Sequence, residues 1–254
     1  MALTAPSMFL YGYEITEYNR SLDFRASFGG PEKQATLTLG YYSLTGLMEE
    51  IKTQMEAADP ANEYTITANR AVAGGTQNRV TISTDGGYLN LLFLSGTRNA
   101  TTCATILGFI KADRTGATSY TGNSSSGTPV VPNLLGYNFL PPEYMRKNFG
   151  SVNVSASGVK EAIVYAIQKF WQVQFKYIPK TTATTEWVNL MTWMMLQRPI
   201  EFTPEITSPT VFYDGTLEST GADGRGLGFT LSEMLPQFPH HYDTGLMKFR
   251  VREG

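Results

Sequence analysis

The sequence predicts an α+β fold rich in β-strand, arranged as two β-sheet domains that each carry one flanking amphipathic helix. Three observations support this. Both halves contain short runs that alternate apolar and polar residues with a period of two. Each half has one segment in which apolar residues recur at helical spacing. Between them, residues 124–150 lose all periodicity and are rich in Pro, Gly and Ser. The expected division is therefore 1–123, an N-terminal β-rich domain; 124–150, a linker or docking arm; and 151–254, a second β-rich domain.

In chain order, Ser21 to Phe28 alternates, with Leu22, Phe24, Ala26 and Phe28 on one side, and Gly29-Gly30-Pro31 turns the chain. Ala35 to Tyr42 then supplies strand formers. The clearest helix follows, with Leu44, Leu47, Met48, Ile51 and Met55 on one face, Ser43 as N-cap and Asp59-Pro60 as the stop. Tyr64 to Ala68 and Arg79 to Ser83 read as a hairpin across Gly74-Gly75, and Asp85-Gly86-Gly87 as a further turn. Thr101 to Phe109 reads as a brief helix ending at Gly108. The aromatic residues of the Pro-rich segment, Tyr137, Phe139, Tyr144 and Phe149, point to an arm that docks on something.

In the second half, Trp171, Val173, Phe175 and Tyr177 alternate with polar residues as a half-buried strand. Val159 to Phe170 fits helix or strand equally. Glu186 to Gln197 reads as a helix whose main stripe is Trp187, Leu190, Met191, Met194 and Met195, stopped by Pro199. Val188, Trp193 and Leu196 lie off that stripe, so the helix is apolar on most sides and is either buried all round or packed on a partner. Four short strands follow: Ile200 to Ile206, Thr210 to Glu218, Gly228 to Glu233 and Leu246 to Arg252.

Chemistry is sparse. Charged residues make up 17% of the chain, against ~25% in ordinary soluble domains. That shortage suggests surface covered by something other than water. The net charge of −2 argues against a polyanion-neutralising face. The single cysteine, Cys103, excludes an intrachain disulfide, and His240 and His241 share one Pro-flanked loop with Asp243 as the nearest candidate co-ligand. Ser157 to Lys160 matches S-x-x-K without its companion elements. Gly221 to Gly228 matches no phosphate-binding pattern, although Arg225 at its tip is placed to touch a neighbouring subunit. No catalytic, cofactor or metal residue is nominated, and the chain reads as a non-enzyme. The N-terminus lacks signal-peptide features, and the strongest apolar run, Leu89 to Leu94, is far too short to span a bilayer.

Several stretches of the second half form a recurring pattern. They are Ser157-Gly158-Val159-Lys160-Glu161, the strand Trp171 to Ile178, Glu186-Trp187, Arg198 to Glu205, Phe212 to Glu218 and Met247 to Arg252. This half resembles the ring-forming domain of distal tail or baseplate adaptor proteins of tailed bacteriophages. The usual glycine between the helix and the next strand is missing here, where Gln197-Arg198-Pro199 stands. Leu22-Asp23-Phe24, Tyr42 to Leu47, Gly96-Thr97-Arg98-Asn99, Ile106 to Phe109 and Thr115 to Thr121 resemble a module of phage structural proteins.

The resemblance implies a tail-tube-like β-sandwich for residues 151–254 and a strand over Val159 to Phe170. It also implies a homo-oligomeric ring, other phage tail proteins as partners, no cofactor, and a place in the virion tail after assembly in the host cytoplasm. The assembly surface expected on this reading comprises Trp187, Trp193, Leu196, Tyr137, Phe139, Tyr144, Phe149 and Arg225. Alternatives are a receptor- or carbohydrate-binding tail-tip module, with Tyr11, Tyr13, Tyr41, Tyr42, Tyr88 and Tyr120 as a sugar platform, or a neck or connector protein. A hydrolase acting during entry is the weakest alternative, since no carboxylate pair or metal centre can be named for it.

Overall fold

The computed structural model describes residues 8–10, 12–69, 78–124, 126, 143–203, 213–217, 231–234 and 238–251. The fold is α+β and β-rich. In chain order the strands are β1 (Met8–Leu10), β2 (Gly12–Ile15), β3 (Ser21–Arg25), β4 (Lys33–Thr36) and β5 (Gly40–Ser43), followed by helix α1 (Leu44–Ala58). Next come β6 (Tyr64–Asn69), β7 (Arg79–Thr84), β8 (Leu89–Leu91), β9 (Arg114–Ala117), β10 (Ser119–Thr121), β11 (Glu143–Val154), β12 (Lys160–Gln174) and β13 (Ile178–Pro179). A helical run of α2 (Lys180–Thr182), a π-helical turn (Ala183–Trp187) and α3 (Val188–Met195) precedes β14 (Ile200–Thr203), β15 (Tyr213–Leu217), β16 (Ser232–Glu233), β17 (His241–Asp243) and β18 (Leu246–Val251).

The chain divides into two compact units. One comprises Leu10–Val130 with Pro199–Glu201; the other comprises Met1–Phe9, Val131–Arg198 and Phe202–Gly254. These boundaries differ from the 1–123, 124–150 and 151–254 division expected from composition.

In the first unit, β4-β3-β8-β9, β10-β7-β6 and β2-β5 form separate sheets. Leu44, Leu47, Ile51 and Met55 of α1 are fully buried among Leu22, Phe24, Tyr64, Ile82, Leu91 and Phe93. The Ser43 side chain accepts the Gly46 N–H at 3.1 Å, the N-cap bond expected from the sequence. A second acceptor was not foreseen. The fully buried Glu201 carboxylate takes the Thr45 N–H at 2.9 Å and the Thr45 hydroxyl. An anion at this helix end satisfies an orphan donor and complements the helix dipole.

Buried Asp23 organises the strand layer. Its carboxylate accepts the Arg98 backbone N–H at 2.6 Å and faces the Arg98 guanidinium at 2.8 and 2.9 Å. That guanidinium also donates to Thr36 Oγ1 and, at 2.8 Å, to the Ala35 carbonyl. One side chain thus ties β3, β4 and the loop after β8. Gly96 is required beside it, because a Cβ there would sit 2.5 Å from the Leu92 carbonyl oxygen and 2.7 Å from the Asp23 Cβ.

A second buried carboxylate, Asp59, closes α1. It accepts from Asn62 Nδ2 and the Tyr64 hydroxyl at 2.8 Å each, with the Lys33 ammonium 3.6 Å away. Burial alone would raise Asp59, but these partners hold its carboxyl below the ordinary value. Burial and the adjacent carboxylate push the Tyr64 phenol up. Burial also pushes the Cys103 thiol up to about 12, which leaves it inert at neutral pH.

Several sequence expectations are corrected. The alternation from Leu22 ends at Arg25, and Phe28 sits 89% exposed on the turn beyond it. Ala35 to Tyr42 is split between β4 and β5. Thr101 to Phe109 is a 3-10 turn (Asn99–Thr101) followed by tight turns, closed by Gly108 at φ +80°. Residues 143–150, assigned to the arm, are instead the start of the twelve-residue strand β11. Of Val159 to Phe170, all but Val159 resolves as strand, within β12. The Gly74-Gly75 turn lies outside the described residues.

Replacing Arg98 with Ala leaves a buried carboxylate unpaired and should cost about 3 kcal/mol, with Arg98→Lys intermediate; urea unfolding measures both. Asp59, with its depressed folded value, stabilises the fold above the unfolded carboxyl value of about 3.9. That stabilisation is lost as pH falls through the lower folded value. The urea midpoint should therefore be flat near neutrality and drop below about pH 4. Asp59→Asn should lower the neutral midpoint and flatten the acid limb.

Candidate assembly surface

The described part of the second unit contains a six-stranded sheet in the order β1-β14-β15-β18-β12-β11 and a small sheet, β13-β17-β16. Two features of this unit leave apolar surface in water: the helical run after β13 and the ribbon made by β11 and β12.

The helical run buries Ala183, Trp187, Leu190, Trp193 and Met194. Trp187 packs on Phe175 with ring centroids 5.3 Å apart, and the Arg198 guanidinium lies 5.0 Å from the Trp193 ring centre. The expected interface residues Trp187 and Trp193 are therefore core residues, 0% and 3% exposed. The helical period put Trp187 on the main stripe and Trp193 off it; the structure buries both. Met195, placed on the buried stripe by the sequence, is exposed; Leu196 is exposed as expected.

The end of α3 explains the missing glycine. The Arg198 N–H donates to the Trp193 carbonyl and the Gln197 N–H to the Met194 carbonyl at 2.9 Å, while Gln197 adopts φ +54°. This is a Schellman closure with glutamine in the left-handed position that glycine usually fills.

The outer stripe of the run is Thr181, Thr184, Val188, Thr192, Met195 and Leu196, all exposed, with exposed Asn189 on its flank. The Thr184 and Thr192 hydroxyls turn back to donate to the carbonyls of Lys180 and Val188, each at 2.9 Å. Those threonines consequently present methyl groups outward, and the stripe carries no charge. In contrast, α1 exposes Glu49 and Lys52, with Lys52 and Glu56 paired at 3.7 Å.

The ribbon is longer than its sheet. Among the described residues, β18 pairs with Phe170–Gln174 of β12, and the nine register pairs from Arg146/Lys169 to Val154/Lys160 run on beyond it as a two-stranded arm. It has a bulge at Phe149/Gly150. Val154, Val159, Ile163 and Ile167 are each about half exposed along it. Among the described residues β11 is the outermost strand of the sheet. Tyr144 and Phe149 belong to β11, with Trp171 and Ala166 as register partners. Tyr137, Phe139 and Arg225 lie outside the described residues.

Other candidate chemistry disperses. Ser157 shares a 2.8 Å hydroxyl bond with Ser155 at the ribbon tip. The His240 backbone N–H and ring face Glu233, His241 faces the Pro239 carbonyl, and Asp243 is held by Gln174 and Lys176. Among the described residues, no cluster of three or more His, Cys, Asp or Glu is placed to hold a metal ion. No helix among them is long and apolar enough to cross a membrane.

The tyrosines named for a sugar platform differ in exposure. Tyr13 is buried, while the Tyr42 and Tyr120 hydroxyls donate to the Thr38 and Leu89 carbonyls and the Tyr88 hydroxyl accepts from Asn90. Only Tyr41 is exposed among the described members, and Tyr11 lies outside them. No protein-family model matches the chain, and no curated protein matches it significantly.

Trp187→Ala should cost about 3–5 kcal/mol by thermal or urea unfolding, as a large core truncation. Met195→Gln on the outer stripe should stay within about 0.5 kcal/mol. Gln197→Gly should stabilise by about 0.5–1 kcal/mol by relieving the left-handed backbone.

Proposed function

We propose that this chain is a structural subunit of a homo-oligomeric assembly, namely a ring-forming distal tail or baseplate component of a tailed-phage virion. The two-stranded ribbon is the observation that carries the oligomeric part. An isolated two-stranded ribbon is marginal in water and needs further strands or a packed face. Among the described residues, nine register pairs stand beyond the pairing with β18, with Val154, Val159, Ile163 and Ile167 about half exposed. A neighbouring copy that covers those side chains removes that cost, and head-to-tail repetition of one such contact closes a ring.

The phage-tail part rests on the sequence resemblance alone. The contacts named here need no cofactor and no chemistry, in keeping with a subunit whose work is contact. Other tail proteins are the partners on this reading, and the assembled tail is its location.

Light scattering and negative-stain electron microscopy of the purified chain test the oligomeric part. Closed rings, or oligomers whose mass rises with concentration, are expected. A strictly monomeric chain at tens of micromolar, alone and with candidate tail proteins, would overturn it. The double substitution Ile163→Lys with Ile167→Lys should cut association at least tenfold while leaving the thermal midpoint of the second unit unchanged. Association with the other proteins of one phage tail, by co-purification, tests the location.

A further inference from the structure

We propose that the outer stripe of the helical run 180–195 is a second contact between copies. Two copies pack antiparallel through it, about a two-fold axis near Val188. The inference rests on the homo-oligomeric reading for its occupant but uses a different element from the ribbon.

The pattern of the stripe is self-complementary. With Val188 on the axis, positions equally distant on either side face each other, so Thr184 of one copy meets Thr192 of the other and Thr181 meets Met195. Large Met195 thus falls against small Thr181, and the central contact is Val188 on Val188. The Thr184 and Thr192 hydroxyls are already bonded to their own helix, so pairing them through methyl groups strands no donor. Small residues at those positions permit an interaxial distance near the lower end of about 8–10 Å.

Charge agrees with this orientation. Glu186 is the only charged residue between Lys180 and Arg198, so the stripe meets its own copy without like-charge repulsion along its length. Lys180 sits at the N-terminal end of its own run, where a cation opposes the helix dipole. Antiparallel pairing moves it opposite Leu196 of the second copy, the C-cap residue. There its aliphatic stem covers Leu196 while its ammonium meets the carbonyl end of that helix. The π-helical turn that ends at Trp187 sets which residues face outward, and such turns recur at functional positions in helices.

Cysteine cross-linking of the full chain tests this, with wild type as the control because its one cysteine, Cys103, is fully buried. Under mild oxidation Val188→Cys should form a disulfide-linked dimer by itself. Thr184→Cys and Thr192→Cys should each dimerise weakly alone and at least tenfold more when mixed. Met195→Glu introduced into Val188→Cys should abolish the cross-link without changing the thermal midpoint. Equal cross-linking at all three positions alone, or none above wild type, overturns the two-fold contact. If cross-links fail while the ribbon variant still loses assembly, this inference falls and the proposed function stands. If wild type is monomeric throughout, both fall.

Discussion

The first unit depends on one buried ion pair. Asp23 is almost wholly removed from water, and a lone carboxylate there would be untenable. Arg98 makes it tenable by bonding it through both backbone and guanidinium, then spending its remaining donors on Ala35 and Thr36. The loop after β8 must pass close enough to deliver Arg98, and this is why Gly96 tolerates no side chain. Strand order, loop path and glycine placement follow from a single charge. An apolar residue at 23 would remove the desolvation cost but also the reason for that loop to sit where it does.

How far the sequence was legible depended on whether local pattern and tertiary environment agreed. They agreed for α1, where helical spacing, Ser43 and Asp59-Pro60 marked face and ends. They agreed again for β6 and β7, whose alternation marks a sheet with one wet face. They disagreed where a strand is covered on both faces. β3 alternates in sequence yet buries Ser21 and Asp23 as well as Leu22 and Phe24, so its alternation does not mark a wet face. Thr101 to Phe109 has helix-compatible residues but is held in turns by long-range bonds, such as Cys103 N–H to the Ser21 carbonyl, that no local pattern reports.

The candidate surface was legible in kind and misassigned in detail. An over-apolar helix was readable from composition, and one of its faces is indeed exposed. That face runs through Val188, Thr192, Met195 and Leu196, and Trp193, which lay off the main stripe in the sequence, is buried. The two tryptophans, the residues that most resemble interface anchors, went inward because their size makes them the largest contributors to core burial. The residues left outside were threonines and smaller apolar side chains. In sequence a threonine counts as polar; here its hydroxyl is turned to its own backbone and its methyl group is what the surface presents.

The low charge of the chain is shared by both units, but its arrangement differs between their helices. α1 and its flanking loops carry charges in ordinary surface arrangements, with Arg20 on Glu17 and Lys52 on Glu56. The exposed stripe of the second helical run instead presents threonine, valine, methionine and leucine. A solvated sheet edge is commonly protected by charge or proline, and a solvated helix face by alternating ion pairs. The described ribbon residues beyond the sheet carry Arg146, Lys147, Lys160, Glu161 and Lys169 towards the two ends, with isoleucine at 163 and 167 between them. That spacing keeps the isolated subunit in solution while leaving the middle of the arm apolar enough to be covered.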